Sequence, residues 1–390
     1  MPPHLAGRGA ERQEFELLLE QTTILENVVL TGLRGVGKTV LLDTFKPIAI
    51  RRGWHWVGTD LSESVSVSEE ALAIRLLADL SVVSSAMVVG REEVAGFAAE
   101  TNEITLDYHT LTKIFSSTPG LVGDKLKAVL EAVAIAVAKE DKRGVIFAYD
   151  EAQNLADRNA EDEYPLSLLL DVFQSIQRKG LPFMLVLTGL PTLFPKLVEA
   201  RTFSERMFHI LTLDRLNQND SREAILKPTL VAECPIGFDS ESVDTICQQS
   251  GGYPYFIQFI CREVFDVFIQ AIAVSGQTVP VPLEAITRKL DSDFFAGRWA
   301  RATDRQRQLL LAIAHLDNSE GEFTVQEVVA KSRELPPKPF GNSHVNQMLA
   351  TLSGVGLIYK NRWGRYSFAV PLFDRFILRQ AETIEPVQPS

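Results

Sequence analysis

The residues best equipped for chemistry lie between Gly32 and Thr39. The run GLRGVGKT fits the phosphate-loop pattern GxxxxGK[ST] at every fixed position. Glycines let the backbone curl so that successive N–H groups converge on phosphate oxygens. The helix that follows presents its positive end to the same charge. An amine at Lys38 reaches the β- and γ-phosphates of a nucleotide, and a hydroxyl at Thr39 reaches a Mg²⁺ ion held by them. Gly32, Gly35, Val36, Gly37, Lys38, Thr39 and Val40 are therefore the candidate nucleotide-binding residues.

A second group of polar residues follows an apolar run. In GVIFAYDEAQNL (144–155), Asp150 and Glu151 close a strand-like segment. Alone, two carboxylates after an apolar run are an ordinary solvated strand end. Here they come about 110 residues after a phosphate loop. In that setting Asp150 suits the Mg²⁺ shell through water, and Glu151 suits the polarisation of an attacking water. Gln153 either couples to the γ-phosphate or a neighbour, or is a surface polar residue. Thr188, at the end of LVLTG, can touch the γ-phosphate or the water. Arg201 and Arg206 precede the next strand, and Arg206 is the better placed to stabilise transition-state charge from a neighbouring subunit.

These groups need a scaffold. Five short apolar runs read as strands: 28–32, 54–61, 144–150, 182–189 and 207–213. Helical periodicity fills the gaps, as at 68–83 and 122–139. Strands alternating with helices predict an α/β fold, a five-stranded parallel sheet flanked by helices. Segment 84–120 is expected to add helices, from apolar spacing over 102–116. His55, between Trp54 and Trp56, reads as a strand residue packed at the sheet rather than a ligand.

After residue 214 the strand pattern stops. Three helical stretches follow, with Asn219 or Asp220 and then Asp239 as N-caps, a break at Gly251–Gly252, and a helix opening at Pro254. From 298 the order changes to three helices, two strands around residues 362–364 and a last helix, which is the order of a winged helix-turn-helix. The expected divisions are 1–214 for the nucleotide-binding domain, 215–297 for a helical lid, 298–381 for the winged helix and 382–390 for a tail.

Composition limits the partners. The chain has 390 residues, 46% hydrophobic and 23% charged, as in a folded globular protein. Its net charge is −11, which disfavours a bulk electrostatic grip on nucleic acid. That charge is uneven: residues 298–390 carry a net +3 and the rest −14. His344 and Asn346, with Asn342, Ser343 and Gln347, open the third helix of the winged part, where base edges are read. Lys360, Arg362 and Arg365 lie on the wing and suit phosphates or a minor groove, with Trp363 at its tip. Double-stranded DNA is one partner these residues fit; docking of a protein partner is the alternative. The three cysteines (234, 247, 261) form no CxxC pair, which fits a reducing, cytoplasmic setting. No apolar run approaches a membrane span, and no secretory signal opens the chain.

Taken together, LAGRGAERQEFELLL, GLRGVGKT, FAYDEAQ, LTGLP and SERMF resemble the AAA+ ATPases of the origin-recognition-like group and the related STAND signalling ATPases. The resemblance spans about residues 5–375. It implies ATP with Mg²⁺ as the ligand, hydrolysis of ATP, and assembly of copies in the ATP state. It also implies that Arg8, with Glu11, lines the adenine side, and that Pro254 in SGGYPYFIQFI lies near the base. Two departures stand out. GGYPY offers no lid arginine, leaving Arg262 as a later candidate, and Thr188 stands where the group more often has Asn. Both favour a slow switch over fast turnover. The alternative within the resemblance is a nucleotide-regulated protein-interaction switch in signalling or defence that binds no DNA.

Overall fold

The computed structural model describes residues 4–21, 23–24, 26–94, 100–232, 237–275, 279–335, 338–361 and 364–384. Cys234, Arg362 and Trp363 lie outside the described residues. The chain divides into two compact units. One comprises Arg8–Gly32 and Lys38–Thr212; the other comprises Pro2–Gly7, Leu33–Gly37 and Leu213–Ser390.

In the first unit the strands are β1 (Asn27–Gly32), β2 (Trp54–Val57), β3 (Val88–Val94), β4 (Glu100–Thr105), β5 (Gly144–Tyr149), β6 (Phe183–Gly189) and β7 (Phe208–Leu213). The helices are α1 (Gly9–Leu19), α2 (Lys38–Arg51), α3 (Glu69–Ser84), α4 (Tyr108–Ser117), α5 (Val122–Lys139), α6 (Pro165–Arg178), α7 (Leu193–Ala200) and α8 (Ser204–Met207). Five strands form one sheet in the order β2-β5-β6-β1-β7, with β1, β2, β5 and β6 pairing in parallel. The three central strands are buried at every residue, the mark of a parallel sheet covered on both faces.

Val29, Phe147, Leu185 and Leu187 face a core completed by α3, α5 and α6. On the opposite side Phe15 of α1 stacks on Phe45 of α2, ring centroids 4.1 Å apart, and meets Trp56 edge-on. Beneath the sheet the Tyr149 hydroxyl donates to Asp79 (2.8 Å), whose carboxylate also takes a two-pronged contact from Arg75 (2.9 and 2.5 Å). Burial, then the Asp79 charge, push the Tyr149 phenol well above its ordinary range. This network pins the strand just before Asp150.

Segment 84–120 differs from the expectation. It holds an antiparallel pair, β3 and β4, and only then the helix α4. Apolar spacing over 102–116 runs across the boundary, but Asp107 fixes the true start by accepting the Thr110 N–H at 2.8 Å. His55 lies in β2 as expected and bonds Glu140 at 3.0 Å.

The second unit contains α9 (Gln218–Val231), α10 (Ser240–Ser250), α11 (Pro254–Ser275) and α12 (Leu283–Leu290). A π-helical turn over Asp291–Ala296 leads into α13 (Gly297–Trp299). Then follow α14 (Asp304–Ala314), α15 (Val325–Lys331), α16 (Asn342–Gly354), the hairpin of β8 (Ile358–Lys360) and β9 (Tyr366–Phe368), and α17 (Phe373–Ile384). This is a helical lid followed by a winged helix. Val243, Ile246, Ile257, Ile260 and Val264 form the lid core. Asn217, rather than Asn219 or Asp220, caps α9, because its carbonyl oxygen is the one within reach of the Asp220 N–H (2.9 Å). Asp239 caps α10 as expected, and Thr303 caps α14.

Within this unit the two parts pack together. Phe295, from the π-helical turn, stacks on Phe376 of α17 at 5.2 Å, and Trp299 meets Phe373 and Phe376 edge-on. Arg379 forks onto Asp291 (3.0 and 2.5 Å). Glu320 accepts from both Arg215 (2.9 Å) and Arg375 (2.7 Å). Among the described residues, no helix is long and apolar enough to cross a membrane.

Candidate active site

In the first unit the reactive side chains gather at the carboxyl ends of the parallel strands, where open α/β sheets bind ligands. Lys38 and Thr39 open α2. The Lys38 amine donates to the Gly32 carbonyl at 2.9 Å, so it is folded back toward the strand it follows. The Thr39 hydroxyl donates to Asp150 Oδ2 at 2.5 Å. Asp150 is buried, and its other oxygen accepts the Glu151 N–H at 2.8 Å. The structure thus brings together Lys38, Thr39, Asp150 and Glu151 from two separate stretches of sequence.

Glu151 itself adopts a left-handed backbone, φ 52° and ψ 33°, which costs a non-glycine residue roughly 1–3 kcal/mol. Its side chain is exposed and accepts a hydrogen bond from Gln153.

Thr188 is fully buried at the end of β6, and among the described residues its hydroxyl has no hydrogen-bond partner. Its backbone pairs with Leu30 of β1. The β5–β6 register pairs Tyr149 with Leu187, so one further step sets Thr188 beside Asp150. Thr31, one residue before the loop, is a second buried hydroxyl without a partner. Buried polar atoms normally find partners, so the Thr188 hydroxyl, on the same face as Asp150, is open to a polar ligand, while Thr31, paired with Gly189, points to the opposite face.

Asp60 was passed over in the sequence. It forms a parallel bridge with Asp150: Leu61 N–H donates to the Asp150 carbonyl at 2.9 Å, and Asp150 N–H to the Thr59 carbonyl. Gly58 permits this approach. At φ 109°, a Cβ there would stand 2.2 Å from the Ala148 carbonyl oxygen. The run WVGTD contained the signal, a strand that turns at glycine into an acidic residue.

The arginines separate clearly. Arg201 is held by Asp171 (2.8 and 2.7 Å) and Ser167 (2.7 Å). Arg206 is exposed on α8, and no ion pair to it occurs among the described residues. Arg8 is buried at the start of α1 and pairs with Glu11 at 3.3 Å.

In the second unit, Gly35 (φ 79°) and Gly37 (φ 94°) take the left-handed conformations the loop requires, and Val36 is buried. The Gly35 carbonyl accepts the Tyr255 N–H at 3.1 Å, next to Pro254 at the first turn of α11. A Cβ on Gly35 would come 2.9 Å from that of Tyr255. Arg262 is exposed on α11. Arg298 was not singled out in the sequence. Its guanidinium lies 4.1 Å over the Phe294 ring. Burial, then the charge of Arg34, lower its proton affinity. Two neighbouring guanidinium groups stay charged and favour an anion.

In the winged part, Asn342, Ser343, His344, Asn346 and Gln347 are all exposed on α16, while Val345, Met348, Leu349 and Leu352 fill its core face. The Asn346 amide donates to the Asn342 carbonyl at 3.1 Å. Arg305 lies 3.8 Å over Phe340 and donates to the Lys338 carbonyl (2.9 Å), fixing the loop before α16. Lys360 reaches over the Tyr366 ring, and Arg365 is exposed. Among the described residues no cluster of three or more His, Cys, Asp or Glu could hold a metal by itself. The oxygen set of Thr39 and Asp150, beside a buried unpartnered hydroxyl, fits a hard cation that keeps several waters and leans on substrate phosphates.

Solved structures share this fold. The Walker-type ATPase PABY2304 of Pyrococcus abyssi is 14% identical, with 96% of each chain covered and a TM-score of 0.59. The Aeropyrum pernix ORC2 protein, solved as ADPNP-ADP complexes, is 15% identical over 99% of this chain and 97% of that one, TM-score 0.52. Its ADP form is 17% identical, again with a TM-score of 0.52. At such identities the likeness is one of fold. No curated protein matches the chain. Residues 292–377 match a domain of unknown function, DUF8462. Residues 4–198, half of the chain, match the model described as AAA ATPase domain. With this P-loop fold and that match, the chain belongs to the AAA ATPase domain family.

Proposed function

We propose that the protein is an ATP-binding, Mg²⁺-dependent and slowly hydrolysing switch of the origin-recognition-like or STAND type, working in the cytoplasm. The observation that carries the reading is the Thr39–Asp150 hydrogen bond, which ties the start of the loop helix to the end of β5. Gly32, Gly35, Val36, Gly37 and Val40 supply backbone around the phosphates, and Lys38 leaves the Gly32 carbonyl to meet the β- and γ-phosphates. Thr39 and Asp150 hold the cation, directly and through water. When bound, Mg²⁺ neutralises phosphate charge that the protein would otherwise have to match alone.

Glu151 accepts the proton of the attacking water at its carboxylate, and the Thr188 hydroxyl finds in the γ-phosphate or that water the partner it lacks. Arg8 and Pro254 border the base. Arg206, exposed and unpaired among the described residues, serves the site of a neighbouring copy in an ATP-bound homo-oligomer. The working parts are a nucleotide domain (1–214), a lid (215–297) and a winged helix (298–381) whose position depends on the nucleotide through differential affinity. His344, Asn346, Lys360 and Arg365 form the face offered to double-stranded DNA, and Arg362 joins them by its place in the sequence.

Glu151→Gln tests the core of this reading. ATP binding should persist while hydrolysis falls by about 10²–10⁴-fold, the usual range for a lost general base. Wild-type turnover in that variant removes Glu151 from the role.

A further inference from the structure

Gln153 joins two parts of the site. It lies in the one-turn helix Ala152–Asn154 that follows Glu151. Its Oε1 accepts the Leu190 backbone N–H at 3.1 Å, just beyond β6. Its Nε2 donates to the Glu151 carboxylate. The amide can stand only one way round. Leu190 N–H is a donor and needs an acceptor, so Oε1 faces it and the NH₂ is turned toward Glu151.

The rest of Gln153 is held as well. Lys196 of α7 donates to its backbone carbonyl at 2.8 Å. Gly189 leaves room for the side chain, since a Cβ there would stand 2.6 Å from the Gln153 Oε1. Glu151 has no comparable support. It is exposed, and among the described residues its carboxylate takes one side-chain hydrogen bond, the one from Gln153. An exposed glutamate explores many rotamers. One donor on one oxygen fixes the carboxylate and leaves the other oxygen for a proton.

We propose that Gln153 is a positioning residue for hydrolysis: its amide holds the Glu151 carboxylate against the end of β6, so that the base is oriented before chemistry begins. The amide suits both tasks, because one end must accept and the other must donate. Asparagine is a methylene too short, and glutamate accepts from Leu190 but repels Glu151. The inference rests on Glu151 as the base.

The test is steady-state ATP hydrolysis by the full chain as MgATP is varied. Gln153→Ala and Gln153→Glu should each lower kcat roughly 10- to 100-fold, the scale of a small misplacement of a catalytic group, with KM unchanged. Gln153→Glu keeps the acceptor for Leu190, loses the donor and adds a charge that repels Glu151, while Gln153→Ala loses both contacts and adds no charge. An equal fall in both variants therefore assigns the effect to the Glu151 bond, and a Gln153→Glu enzyme with wild-type kcat overturns the proposal. The double variant Gln153→Ala/Glu151→Gln should be no slower than Glu151→Gln alone; a further loss of the same factor also overturns it. If Glu151→Gln is inactive while both Gln153 variants turn over normally, the tether fails and the base assignment survives. If Glu151→Gln itself turns over normally, the base assignment fails and takes the tether with it. Unchanged nucleotide affinity verifies folding, and Gln153→Glu serves if Gln153→Ala does not fold.

Discussion

The carboxyl ends of β1, β5 and β6 and the exposed face of α16 are both polar surfaces, built on opposite plans. At the strand ends the groups are short, close to the backbone and tied to one another: Thr39 to Asp150, Asp150 to the Glu151 N–H, Glu151 to Gln153. On α16 the polar residues stand out from a helix whose other face is a plain apolar core. The first arrangement fixes atoms relative to a ligand that must react. The second displays a pattern that a partner can read, and tolerates adjustment. Substitution should therefore be sharply felt at the strand ends and graded on the winged part.

The largest effect should come from Lys38→Ala. Removing the amine should weaken ATP binding by about a hundredfold or more, since charge-assisted contacts of this kind are worth roughly 2–5 kcal/mol. Isothermal titration would read it, with the melting temperature as a control. Next comes sharing between copies. Arg206→Ala and Glu151→Gln proteins, each defective alone, should regain part of the hydrolysis rate when mixed, because a hybrid interface pairs an intact base with an intact arginine. A mixture no better than its components would confine Arg206 to its own subunit.

On the winged part the effects should be smaller and additive. Lys360→Ala and Arg365→Ala should each weaken DNA binding a few-fold and lower the slope of log affinity against log salt by about 0.9. Binding that is absent, or indifferent to salt, would point α16 toward a protein partner. The smallest effect is expected from Glu320→Gln. Burial pulls the Glu320 carboxyl up, but Arg375 and Arg215 outweigh it and hold it below its ordinary value of 4.5. A depressed carboxyl stabilises the fold fully above that value and loses its contribution as pH falls through the lower one. The loss should be about 1 kcal/mol or less, visible above pH 5 in thermal unfolding and muted by salt.

How much of this was legible beforehand follows the same division. The phosphate loop is specified by local residue types, so GLRGVGKT gave both its place and its neighbours. The Asp150 pair was readable because it closes an apolar strand at a suitable distance. Asp60 was not, because its place depends on the pairing of β2 with β5, which no local pattern encodes. Local pattern leaves Gln153 open between a site partner and a surface residue for the same reason: its partner, Leu190, follows the neighbouring strand β6. The β3–β4 pair was missed where apolar spacing ran across the Asp107 cap. Arg298 escaped notice because the π-helical turn before it shifts which side chains share a face.

That turn has a further consequence. Each residue of an α-helix advances its direction by about 100°, and a π-turn carries one residue more than an α-turn. Asp291–Ala296 therefore resets the phase of the helical run from α12 into α13. The adjacent rings Phe294 and Phe295 both touch Phe256; beyond it Phe294 meets Tyr255 and Arg298, and Phe295 meets Phe373 and Phe376. Winding the same residues as an unbroken α-helix would swing Trp299 by about 100° away from Phe373 and Phe376, whereas deleting one residue would restore the α-helix and keep Trp299 near its present direction. One extra amino acid, in a turn whose Phe294 packs on the Tyr255 that bonds Gly35, thus acts as the gear tooth that sets the angular register between the lid helices and the winged helix.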